Sequence, residues 1–71
     1  MRLGYSINRY SLELWPYDQW SRRHMYKLCK MYSLTFELVP TTMGTEALKL
    51  NQTDFDILLF VLDRYEVNVN E

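Results

Sequence analysis

The chain is short of the residues that staple, break or catalyse. It has one cysteine, Cys29. A lone cysteine excludes an internal disulfide and the Cys-rich zinc frameworks, and it favours a reducing compartment. Two glycines and two prolines leave no room for a long flexible linker. With only Gly4 and Gly44, no glycine-rich phosphate loop exists. The longest apolar run is six residues, Ile57 to Leu62, where a membrane span needs about 20. The N-terminus, Met1-Arg2-Leu3-Gly4-Tyr5, turns polar before any secretory apolar region forms. The expectation is a cytoplasmic protein with no membrane partner.

What is present belongs to a folded protein. Hydrophobic residues make up 48% of the 71, well above the range of disordered chains. We expect a single domain over residues 1–71 with its last few residues frayed. Such a domain buries only about 60% of the surface of its unfolded chain, so its stability margin is thin. A second copy is one usual remedy.

Net charge is −1 but unevenly placed. Residues 1–32 carry six Lys and Arg against two carboxylates, and residues 33–71 carry two against seven. Two such halves attract each other within a domain, or they address partners of opposite sign.

Alternation of Leu3, Tyr5 and Ile7 with Gly4, Ser6 and Asn8 predicts a strand. The phase slips near Arg9-Tyr10, so either a bulged strand runs to Leu14 or a short strand meets a loop. Pro16 then opens a helix to Tyr32, with Asp18 at its positive end. Steps of 100° place Tyr17, Trp20, His24, Leu28 and Met31 on an inward stripe. Gln19, Arg22, Arg23, Tyr26 and Lys30 face outward. Leu34 to Val39 alternates again, Pro40 stops it, and Thr41-Thr42-Met43-Gly44 makes a turn. Glu46 to Leu50 reads as a third strand or a helical turn. Thr53 begins the last helix, with Asp56 at capping-box spacing, and it runs to Glu66. The tail either frays or adds a short strand through Val67 and Val69. The fold class is therefore α+β, in the order β-α-β-β-α, with a short antiparallel sheet covered by two helices.

Leu50-Asn51-Gln52-Thr53-Asp54-Phe55-Asp56-Ile57-Leu58-Leu59 resembles the first helix of the winged-helix domains in bacterial response regulators. Too little chain follows Leu62 to supply the recognition helix of that family. A compact, aromatic-rich frame opening on its own Met is similar in style to small phage-encoded proteins that inhibit host factors. Such a setting places the chain in the bacterial host cytoplasm.

Candidate chemistry is sparse. His24 and its neighbours Ser21 and Cys29 share one helix without an orienting third group, so no catalytic residue, cofactor or metal is expected. Three surfaces remain. Acidic Glu37, Glu46, Asp54, Asp56, Asp63 and Glu66 form an expected docking face for a basic partner protein, covering its nucleic-acid site by mimicry of charge. Basic Arg22, Arg23, Tyr26 and Lys30, joined by Trp15, form the alternative, a nucleic-acid surface with an aromatic to stack on a base. Apolar Ile57, Phe60 and Val61 need a cover, which a two-fold homodimer would provide. The leading expectation is a non-enzymatic regulator or inhibitor, with nucleic-acid binding as the alternative.

Overall fold

The computed structural model describes residues 3–70, with side chains through Arg64. It is an α+β domain of four antiparallel strands and two helices. The first strand expected from the sequence is a hairpin of two, β1 (Tyr5–Asn8) and β2 (Glu13–Pro16). The slip at Arg9-Tyr10 is its turn. Asn8 Oδ1 accepts the Tyr10 and Ser11 amides at 3.0 and 3.2 Å, a side-chain mimic of a backbone turn. Leu12 closes the loop in the left-handed region at φ 58°.

Helix α1 (Gln19–Met31) follows, then β3 (Phe36–Pro40), β4 (Glu46–Leu50) and α2 (Gln52–Asn70). The spatial order of strands is β1-β2-β4-β3, so the two hairpins meet along β2 and β4. Glu46 to Leu50 pairs with β3 from Phe36↔Leu50 to Pro40↔Glu46, which makes it the third strand rather than a helical turn. Pro40 sits on an edge strand, where its missing N–H leaves no ladder bond unmade.

Both helices cover one face of the sheet. Leu14, Leu48 and Leu50 from the sheet join Met25, Leu28 and Cys29 of α1 and Phe55, Leu58, Val61 and Leu62 of α2 in one buried cluster. The opposite sheet face carries Trp15, Glu13, Glu37 and Lys49, by strand alternation and the pairing register.

The helix caps differ from those expected. Pro16 ends β2, and Asp18 is the N-cap of α1, accepting the Ser21 amide at 2.7 Å. An aspartate oxygen satisfies a free helical amide where proline only lacks one. At α2 the cap is Asn51, two residues before Thr53, with its Oδ1 accepting the Asp54 amide at 2.8 Å. Asp54 Oδ2 in turn accepts from Asn51 Nδ2 at 3.4 Å, so the two side chains hold each other at the helix start. The helix also continues past Glu66 to Asn70, where a strand through Val67 and Val69 was the alternative. Fraying of the last side chains lies outside the described residues.

The inward stripe of α1 is turned by roughly a quarter turn (~90°) from the expected one. Ser21, Met25, Leu28 and Cys29 are buried, whereas Tyr17 and Met31 are exposed and Trp20 and His24 lie half-buried. Small Ser21 and Cys29 let the helix approach the sheet, which the bulkier tyrosine and tryptophan would prevent.

Candidate functional site

The two helices leave a groove between them of about 670 Å³. From α1 it takes His24, Leu28 and Met31, with Tyr32 just beyond the helix and Lys27 at the rim. From α2 it takes Ile57, Phe60, Val61 and Arg64. Of the three apolar residues expected to need a cover, Phe60 is 62% exposed and Ile57 39%, but Val61 is only 8% exposed. Val61 belongs to the core, because it stands on the side of α2 that α1 shields. Met31 and Tyr32 extend the open apolar surface across the groove.

Charge frames this surface. On a helix, residues three, four and seven apart share a stripe. Asp56 and Asp63 therefore flank Phe60 on the solvent side of α2, and both are exposed. Arg64 lies one turn beyond Phe60, its guanidinium carbon 5.4 Å from the centre of the Phe60 ring. Asp56 accepts a hydrogen bond from Gln52 Nε2 at 3.0 Å, also on the exposed stripe.

The other acidic residues do not join this stripe. Glu37 is exposed on the open sheet face and Glu46 at the far end of the β3–β4 hairpin. The Asp54 carboxylate is half-buried and accepts the Thr35 amide at 3.0 Å, tying the start of β3 to the start of α2. It is a structural clamp as well as part of a cap. The Glu66 side chain lies outside the described residues.

The basic set is also divided. Arg23 and Lys30 are exposed, but Tyr26 is half-buried and stacks on Phe36, with ring centroids 5.4 Å apart and planes 9° from parallel. One face of that ring is already occupied. The Arg22 Nε is buried and has no hydrogen-bond partner among the described residues. Trp15 stands on the sheet face away from α1 and donates to Glu13 Oε1 at 2.8 Å.

The His24, Ser21 and Cys29 side chains each have other work. The His24 Nδ1–H donates to the Trp20 carbonyl at 2.9 Å, four residues back on its own helix. The imidazole also lies against the Trp20 ring, centroids 4.1 Å apart. The Ser21 Oγ is buried and accepts the Gly4 amide at 2.8 Å, so α1 holds the entry to β1. In the sequence Ser21 stands out only as a possible nucleophile beside His24. Its spacing of three from Asp18, a cap and an inward residue, was the available signal. Cys29 is buried, and its thiol is pushed up to about 11, first by burial and then by the negative charge of Asp54. Such a thiol is a poor nucleophile. Among the described residues, no group of three His, Cys, Asp or Glu could hold a metal ion, and no helix is long and apolar enough to cross a membrane.

No family model, no curated protein and no solved structure matches this chain.

Proposed function

We propose that this chain is a non-enzymatic interaction module, a small regulator or inhibitor that docks the outer surface of α2 on a basic protein partner. The observation that carries this reading is the placement of Phe60. A large aromatic side chain is left 62% exposed on a small domain, beside an apolar groove and between two exposed carboxylates. Aromatic anchors supply most of the binding energy of protein interfaces, and flanking charge selects the partner and speeds encounter. The acidic docking face thus contracts to Asp56 and Asp63, since Asp54 is committed to the fold. The buried free thiol of Cys29 supports a reducing compartment, the cytoplasm.

Capture from nuclease-treated bacterial lysate tests the reading. The tagged wild type should retain a basic protein that is lost at high salt. Both Phe60→Ala and the pair Asp56→Lys, Asp63→Lys should release it while keeping the circular dichroism of the wild type. Retention that ignores these changes would contradict the proposal. Capture that disappears with nuclease and follows Arg23→Glu and Lys30→Glu would make the outer face of α1 the working surface, with nucleic acid as its ligand.

A further inference from the structure

We propose that a second copy of this chain packs on α2 about a two-fold axis through Phe60, with Asp56 of each copy against Arg64 of the other. This inference rests on the reading of the outer α2 surface as an interaction surface, and it names an occupant for it.

Asp56, Phe60 and Arg64 follow one another at intervals of four, so they form a single ridge along α2. The ridge is acid, aromatic, base, with the exposed Asp63 beside it on the Asp56 side of Phe60. The Arg64 guanidinium lies over the Phe60 ring, so the basic end of the row stands against the aromatic in the folded chain. Eight residues of helix set its charged ends about 12 Å apart.

Reversal of such a ridge gives its own complement. In an antiparallel pair of α2 helices centred on Phe60, ring meets ring, and each Asp56 meets the partner's Arg64. An isologous two-fold interface requires this self-complementarity, because each patch must recognise itself. The exposed Ile57 and the groove beyond it then receive the edge of the opposing helix. An interface of ordinary size covers about 800 Å² per partner, roughly a sixth of the 4982 Å² surface of the chain.

Charge exchange distinguishes this arrangement from general stickiness. Sedimentation equilibrium of the purified full chain should give twice the 8.7 kDa chain mass at micromolar concentration. Arg64→Asp places carboxylate against carboxylate, and Asp56→Arg places guanidinium against guanidinium. Each should weaken the dimer by about tenfold or more. Asp56→Arg combined with Arg64→Asp should restore it to within about threefold of the wild type, as the original pairing is re-formed with its signs exchanged. Circular dichroism checks that each variant is folded. If Asp56→Arg disturbs the first turns of α2, Arg64→Asp and Phe60→Ala carry the comparison, both predicted to give monomers. A wild type that stays monomeric at 100-fold higher concentration would overturn the inference, as would a dimer indifferent to Arg64→Asp and Phe60→Ala, or a folded double variant that fails to recover. A monomer that still captures a basic protein through Phe60 would overturn the second copy alone and leave the interaction reading standing.

Discussion

Replacing Ser21 by alanine removes one oxygen from a fully buried polar position of the fold. That oxygen accepts the Gly4 amide at 2.8 Å, and its residue has no exposed surface. Alanine leaves almost the same volume, so little packing is lost. What remains is an amide in a partly buried position without its acceptor. The cost of such an orphan is about 1–3 kcal/mol, and the partial exposure of this bond places it in the lower half, about 1–2 kcal/mol. In a domain of this size each kcal/mol lowers Tm by about 4–8 °C. Urea unfolding followed by circular dichroism measures the total, and hydrogen exchange of the Gly4 amide gives the local reading. Stability within about 0.3 kcal/mol of the wild type, with the Gly4 amide still protected, would refute the assignment of Ser21 as the clamp between α1 and the entry to β1.

Two further predictions concern the same helix. Ser33 closes α1 in the left-handed region at φ 55°, with the Leu34 amide donating to the Cys29 carbonyl at 2.8 Å and the Ser33 amide to that of Lys30 at 3.3 Å. Glycine is the usual residue there, so Ser33→Gly should raise stability by about 0.5–1 kcal/mol in the same urea assay, and a loss of stability would contradict this helix stop. The Cys29 thiol should resist alkylation at pH 8 in the folded protein and react at once in urea. Its folded pKa of about 11 lies above the ordinary value of 9.0, so the stability it lends is full below pH 9 and declines as pH rises toward 11. Rapid labelling of the native chain at pH 8, or no fall in its contribution over that alkaline window when compared with Cys29→Ala, would contradict the burial.

Much of the architecture is legible in residue order. Alternation in Leu34 to Val39 marks β3, although the strand begins at Phe36 and Pro40 is its last residue rather than a stop before it, and Gly44 at φ 79° allows the turn that returns β4. The hairpin of β1 and β2 is harder to read, because no glycine or proline marks its turn. Asn8 supplies the turn through its side chain, and Leu12 accepts the left-handed conformation while packing on the core. The inward face of α1 is hidden for a related reason. Large apolar residues suggest a core stripe, but close helix–sheet contact selects small Ser21 and Cys29, and the polar cost of the serine vanishes once Gly4 donates to it.

The candidate surface is partly legible in the same way. Periodicity leaves Ile57 and Phe60 without a cover, and the folded chain leaves them exposed. It does not separate Val61, which α1 buries, because sequence spacing does not say where the neighbouring helix lies. Nor does it separate Asp54 from Asp56. They are two residues apart and of the same type, but one accepts from Thr35 and Asn51 while the other accepts from Gln52 on the exposed stripe.

The most direct test of α2 as an interaction surface is a photo-crosslinking residue placed at position 60 of the full chain in living bacteria. Light should link that position to protein, either a second copy or a basic host protein, and nuclease treatment should leave the adduct intact. Absence of any protein adduct from position 60, with nucleic acid captured instead from position 23 on the outer face of α1, would contradict the account.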